Sequence, residues 1–252
     1  MARVAVFADV HGNLPALQAA LAEIQRLGCE ATYCLGDVIA IGPQPAECLD
    51  LLLDTPNLYL TMGNHELWYV NGLPQPQPTW MSDGEVVHQE WVHAQLGDRH
   101  RAAIEQWPFV REVKVEGVRL ATMHYPPTDT LSGFVDTIHR PSAEELDRLF
   151  CDYLADVICY GHTHVAWQRA GQDTTYVNPG ALGCDPEPLA RFVTVECRAG
   201  EYTLENHAVP YDDDPLYRAF EERSVPEREF LYRAFFGGRF PRVGSPHYVA
   251  AD

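Results

Sequence analysis

Two histidines separated by one residue, Gly161-His162-Thr163-His164, form the densest cluster of potential metal donors in this 252-residue chain. Four other polar groups share their context: each follows a short apolar run. They are Asp9-Val10-His11-Gly12-Asn13, Gly36-Asp37, Gly63-Asn64-His65-Glu66 and His124. Where strands lie parallel, functional groups collect at their carboxyl ends, so five such ends point to one shared site. In an extended segment residues i and i+2 point the same way, which lets Asp9 and His11 converge on one ion and gives His162 and His164 the same relation. Glycines 36, 63 and 161 let the backbone turn beside the donors. Imidazole, carboxylate and an amide oxygen, with no thiolate, suit Mn²⁺ or Fe²⁺ and admit Ni²⁺ or Zn²⁺. Asp9, His11, Asp37, Asn64, His124, His162 and His164 are too many donors for one transition-metal ion. They match two divalent ions that share a carboxylate.

The elements that must position these groups read as alternating strand and helix. Val4 to Ala8 is a buried strand. Leu14, Leu17, Leu21, Ile24 and Leu27 then recur at helical spacing, with Asn13 as N-cap and Gly28 as the stop. Thr32 to Leu35 and Leu58 to Met62 are further strands, flanking a helix from Pro45 to Asp54. This order implies parallel strands with right-handed crossovers. After Pro74, Pro76 and Pro78, Ser82 to Gln95 and Asp98 to Trp107 read as a helical insertion. Phe109 to Val115 and Val118 to Met123 read as a hairpin turning at Glu116-Gly117. Ser142-x-x-Glu145 is a capping box. Val157 to Tyr160 and segments 165–170, 174–177, 190–197 and 201–208 read as strands, enough for two packed sheets. In the tail, Asp214-Pro215 reads as an N-cap with proline at the first helical position. Ser224-x-x-Glu227 reads as a second capping box before Phe230, Leu231, Ala234 and Phe235. These tail helices cover the core or meet a partner, a second copy of the chain among the candidates.

In their order along the chain, these motifs resemble the calcineurin-like metallophosphoesterase superfamily. Gly42-Pro43-x-Pro45 after Gly36-Asp37, and Asn178-Pro179-Gly180 after Gly-His-Thr-His, resemble its YfcE-like branch of small phosphodiesterases. The resemblance spans roughly residues 1–208. The insertion at about 73–108 and the tail at 209–252 carry no motif. It implies a four-layer α-β-β-α sandwich of two mixed sheets flanked by helices. It also implies that Asp9, His11 and His164 hold one ion, that Asn64, His124 and His162 hold the other, and that Asp37 bridges them. A bridging hydroxide would attack the phosphorus of a phosphodiester or phosphomonoester. His65 is then the catalytic residue, assisting the leaving group, and Asn13, Asn64 and His65 contact the phosphate, with the capping role competing at Asn13. Glu66 supports the site or starts a helix. Tyr125, where the branch often has glycine, either packs in the core or narrows the pocket. The alternative reading is a protein-binding scaffold on the same fold, as in one retromer subunit, or a metal-dependent sensor.

Charge and cysteine usage bound the partners. Eighteen Lys and Arg against 36 Asp and Glu give a net charge of −18. That surface has no surplus of cations to displace the counterions of a long nucleic acid or to meet an acidic membrane. A small phosphorylated substrate is compatible, because bound cations invert the charge locally. No apolar run approaches the roughly 18 residues of a membrane span. The start of the chain shows no leader, and the seven cysteines include no CxxC pair. Reduced thiols and a cytoplasmic location are the expectation.

Overall fold

The computed structural model describes residues 1–239. The last part of the tail read from the sequence, residues 240–252, lies outside the described residues.

The chain runs β1 (Ala2–Phe7), α1 (Leu14–Arg26), β2 (Ala31–Cys34), α2 (Pro45–Asp54), β3 (Leu58–Leu60), α3 (Asn64–Asn71), α4 (Asp83–Ala94) and α5 (Asp98–Ile104). It continues through β4 (Val110–Val115), β5 (Val118–Met123), α6 (Ala143–Leu149), β6 (Val157–Tyr160), β7 (Trp167–Ala170) and β8 (Thr175–Asn178). It ends, among the described residues, with β9 (Leu189–Arg198), β10 (Glu201–Pro210), α7 (Asp214–Glu222) and α8 (Arg228–Phe235).

Two mixed five-stranded sheets result, in the orders β10-β9-β1-β2-β3 and β4-β5-β6-β8-β7. β1, β2 and β3 pair in parallel, as do β5, β6 and β8. The side-chain alternation of β1 explains the layering. Val4 and Val6 enter a core shared with Leu120, Val157, Cys159 and Val177 of the second sheet, so the two sheets pack face to face. Ala5 and Phe7 point the other way, into a core with Leu17, Ile24, Leu49 and Leu52 of α1 and α2. On the far side, Ile158 and Tyr160 pack with Leu146 and Phe150 at and after α6. The four layers expected from the motifs are present.

Asn13 caps α1, its Oδ1 accepting the Ala16 N–H at 3.1 Å. Ser142 and Glu145 form the expected capping box. Two readings of the tail need correction. α7 begins at Asp214 behind Asp213, one residue earlier than expected. Ser224 does not start α8. It lies in the left-handed region at φ 48° and closes α7 instead. Its N–H bonds Glu221 O and the Val225 N–H bonds Phe220 O, the paired contacts of a Schellman ending. Val225 is then buried against Leu216 and Phe220, which offsets the missing glycine. Glu227 takes the flanking position of α8.

α7 and α8 pack on the body through a core of their own, which includes Ile41, Ala181 and Cys184 of the loops at the strand ends. Among the described residues no helix is long and apolar enough to cross a membrane, and all seven cysteines are free.

Candidate metal centre

The proposed donors come from the carboxyl ends of strands in both sheets. Asp9 and His11 follow β1, Asp37 follows β2, His124 follows β5, and His162 and His164 follow β6. Asn64 and His65 follow β3 and sit in the first turn of α3. Four of these loops are stitched in pairs by backbone hydrogen bonds that continue the parallel ladders. His11 N–H donates to Asp37 O at 3.0 Å, Gly12 N–H to Val38 O at 2.8 Å, and Gly161 N–H to His124 O at 2.9 Å.

The backbone between donors is not extended, contrary to the spacing argument. Asp9 (φ 58°), His11 (φ 48°), Asp37 (φ 50°), His162 (φ 69°) and His164 (φ 58°) all lie in the left-handed region. That conformation costs a non-glycine residue about 1–2 kcal/mol. The donors themselves make the sharp turns assigned to glycine from the sequence. Of the three glycines, only Gly36 has a positive φ, at 95°. Gly63 and Gly161 are needed for space, since a Cβ at Gly63 would collide with Asp37 and one at Gly161 would press on Ala8 and Asp9. His162 and His164 therefore diverge, each to a different cluster.

In one cluster Asp9, His11 and His164 approach one another; in the other, Asp37, His124 and His162. Asn64 joins the second. Its Oδ1 lies 3.0 Å from His124 Nε2 and 3.0 Å from His162 Nδ1, and those two nitrogens are 3.1 Å apart. His11 Nε2 and His164 Nε2 are 3.0 Å apart in the first cluster. Donors about 2.1 Å from one ion at right angles stand about 3.0 Å from each other, so these separations fit a shared cation. The far nitrogens agree. His11 Nδ1 lies 3.1 Å from Ile39 O, and His124 Nδ1 lies 3.0 Å from Leu35 O. A carbonyl only accepts, so each Nδ1 carries hydrogen and each Nε2 presents a lone pair to its cluster when neutral. His162 Nε2 pairs with the Thr137 hydroxyl at 2.9 Å, which holds the ring with Nδ1 toward the second cluster. Asp37 Oδ2 lies between the clusters, 3.3 Å from His124 Nε2 and 3.9 Å from His11 Nε2.

The protein charges tell the same story. Burial lowers His162 to about 3 and His164 to about 4, and pushes His11 well below the ordinary range, which leaves these imidazoles neutral. Burial raises Asp9 to about 8. Burial acts to lower His124, but the charge and hydrogen bond of Asp37 together with the charges of Asp9 and Glu66 outweigh it and lift the group to about 9. Burial likewise opposes ionisation of Asp37, and there His124 and His65 win, holding it well below the carboxylate range. So many buried acceptors with so few donors make a site shaped for positive charge.

Glu66 is buried behind this centre. One carboxylate oxygen accepts N–H bonds from Asp37 (2.8 Å) and Gly63 (3.1 Å), the other from Val38 (2.8 Å) and Ile39 (3.1 Å). It pins the loop that carries Asp37, the supporting role expected of it. Burial and the charge of Asp37 push it up to about 7. His65 Nε2 lies 3.9 Å from Asp37 Oδ2, and its Nδ1 faces the Gln89 amide nitrogen at 3.0 Å. Asn13 is fully buried and its amide nitrogen donates to Gly183 O (2.8 Å) and the Tyr211 hydroxyl (2.9 Å). Both ends of the side chain are thus engaged inside the protein, which favours the capping role. Tyr125 is buried in the second sheet's outer core, where its hydroxyl accepts the Ile138 N–H at 2.9 Å, so it is a packing residue.

Nothing in the sequence marks Gln89 and Thr137, which hold the far nitrogens of His65 and His162. Nor does it single out Asn178 for its contacts. Asn178 donates to Gly161 O at 2.8 Å and Thr163 Oγ1 at 3.1 Å, bracing the Gly-His-Thr-His loop. Over the centre lies a cavity of about 540 Å³, walled by parts of α3, α4 and α8.

A family model for the calcineurin-like phosphoesterase superfamily domain matches residues 2–200. An uncharacterized protein of Methanocaldococcus jannaschii is 24% identical over 257 residues, covering 94% of this chain and 98% of its own. A hypothetical protein from Pyrococcus horikoshii superposes with a TM-score of 0.78 at 19% identity, over 95% of this chain and 100% of that one. A metallophosphoesterase from Sphaerobacter thermophilus gives 0.68 at 24% identity, over 89% and 95%. With its two facing sheets and its donor residues at the strand ends, the chain belongs to the calcineurin-like phosphoesterase superfamily.

Proposed function

We propose that this protein hydrolyses a phosphoric ester, diester or monoester, with two divalent transition-metal ions. Asp9, His11 and His164 hold one ion, Asn64, His124 and His162 hold the other, and Asp37 serves both. Mn²⁺ or Fe²⁺ suits this nitrogen–oxygen set, and Ni²⁺ or Zn²⁺ is compatible with it. The observation that carries the reading is the approach of Asp9, His11 and His164 in one group and of Asp37, His124 and His162 in another, with Asn64 Oδ1 beside the second and Asp37, grouped also with His11 and His65, between them. Ions bound there supply Lewis acidity to a phosphoryl group and lower the pKa of water from 15.7 toward about 7.

The chain's own groups do the rest. Burial lowers the pKa of His65, so its imidazole is neutral at pH 7. With the Gln89 amide donating to Nδ1, the hydrogen of His65 sits on Nε2, the nitrogen that lies 3.9 Å from Asp37 Oδ2. From there it donates a hydrogen bond to a phosphoryl or leaving oxygen. Asn64 is at once a donor to the second ion and a neighbour of the phosphate. The free thiols accord with a reducing compartment such as the cytoplasm.

The test is hydrolysis of bis-p-nitrophenyl phosphate and p-nitrophenyl phosphate by metal-stripped protein resupplied with Mn²⁺. Turnover is expected to depend on the metal. Asp37→Asn is expected to lose several kcal/mol of transition-state stabilisation, or about 10³-fold in rate. Absence of turnover with every divalent metal tried removes the hydrolase reading. Turnover indifferent to Asp37→Asn removes the site assignment.

A further inference from the structure

The walls of the cavity have a chemistry that the metal donors do not explain. Trp68 of α3 meets the His65 ring edge-on, with centroids 4.8 Å apart. On the other side, the Phe235 ring of α8 lies 6.1 Å from the His164 ring. Phe230 and Leu231 extend the same apolar wall. The charged residues among the walls are Glu85 of α4 and Glu227 at the head of α8. Among the described residues, no Lys or Arg lines the cavity.

The two acidic residues line the cavity where insertion and tail meet. Gly84 leaves the space that the Glu227 carboxyl fills: a Cβ there would stand 2.7 Å from Glu227 Cδ. His88 Nδ1 donates to Pro226 O at 3.3 Å across the same seam. Glu85 is half-buried, so solvent screens it from a neighbouring anion less than it screens the exposed Glu227.

A phosphoryl group bound on the floor has its charge met by cations. The organic remainder of the substrate meets aromatic faces and carboxylates, with no cationic side chain among the described residues to receive a second anion. Aromatic faces attract apolar groups and cations, and carboxylates repel anions. We infer that the cavity takes phosphoesters whose organic group is aromatic or apolar and carries no negative charge beyond the phosphoryl group under attack. This rests on the phosphoesterase reading for the role of the floor, and it excludes polyphosphates and phosphorylated acids as preferred substrates.

The test uses the Mn²⁺-loaded protein and three non-hydrolysable ligands in calorimetric titration: phenylphosphonate, 4-carboxyphenylphosphonate and 4-(aminomethyl)phenylphosphonate. Hydrolysis of the three matching phenyl phosphates is followed in parallel. The carboxylate compound is expected to bind about tenfold or more weakly than the phenyl compound, and the ammonium compound at least as tightly as it. In Glu85→Gln/Glu227→Gln the gap between carboxylate and phenyl compounds should narrow to about threefold or less. Equal or tighter binding of the carboxylate compound by the parent protein overturns the inference, as does failure of phenylphosphonate to bind at millimolar concentration. A gap undiminished in the double variant overturns the assignment to these two residues. Binding that discriminates as expected while none of the three esters turns over supports the cavity inference and counts against the hydrolase reading, so the two can fail separately.

Discussion

On the floor of the cavity, five donor residues hold left-handed backbone conformations, fixed by cross-strand hydrogen bonds and by the four N–H bonds that Glu66 accepts. Above it, α4 and α8 contribute side chains from regular helices, and Phe230 is 58% exposed. The floor lies within the residues matched by the superfamily model, 2–200; α8 lies beyond them. Where atoms must be placed to a fraction of an ångström, the chain accepts strain and surrounds it with hydrogen bonds. Where only shape and charge select a ligand, ordinary helices with loose edges suffice.

That contrast is open to measurement. The largest effect should come from His65→Ala, which is expected to lower kcat by about 10²–10⁴-fold with metal content unchanged. A loss of bound metal in this variant would move His65 into the donor set. Glu66→Gln comes next. Its amide turns N–H groups toward backbone N–H groups, so metal affinity should fall about 10–100-fold and stability by about 2 kcal/mol or more. Chelator competition and denaturant titration measure the two. A variant with parental metal affinity would show that the Asp37 loop keeps its shape unaided.

Metal uptake should also be pH-dependent. Burial holds Asp9 at about 8, and the surrounding carboxylates hold His124 at about 9 against burial, so at pH 7 both carry protons that a cation must displace. Affinity for Mn²⁺ should therefore rise with pH by about tenfold per unit for each proton displaced, and the rise should flatten above pH 9. Titration in buffers of different ionisation enthalpy counts the protons released. The smallest effect belongs to the roof. Phe230→Ala should raise KM a few-fold for aromatic esters, an effect of about 1 kcal/mol, and leave kcat and melting temperature nearly unchanged. A fall in kcat comparable with that of His65→Ala would erase the distinction between floor and roof.

The same division explains what could be read from the sequence. Donor types are rare and their strand-end context is local, so Gly-His-Thr-His and Asp-x-His announce themselves, and the strand periodicity places them in one site. The two-sheet architecture followed from the number and order of apolar runs. The backbone that aims the donors was misread because left-handed Asp and His leave no compositional trace, whereas glycine suggests a turn even where, as at Gly63 and Gly161, the requirement is space. The roof was unreadable for a different reason. Trp68, Leu231 and Phe235 have the spacing of ordinary helix-core residues; α3 carries Trp68 beside His65, and the meeting of α8 with α4 sets Leu231 and Phe235 at the cavity. Ser224 shows the limit of motif reading: its pattern with Glu227 is that of a helix start, but burial of Val225 makes it a helix end.

The strained floor has a consequence for anyone improving this protein. Glycine occupies the left-handed region without penalty, so at Asp9, His11, Asp37, His162 and His164 relief of backbone strain and loss of a donor are the same substitution. A library screened for thermal tolerance in chelator would enrich glycine at these positions and dismantle the centre. The same library screened with metal present would hold them fixed and draw its gains from elsewhere in the chain.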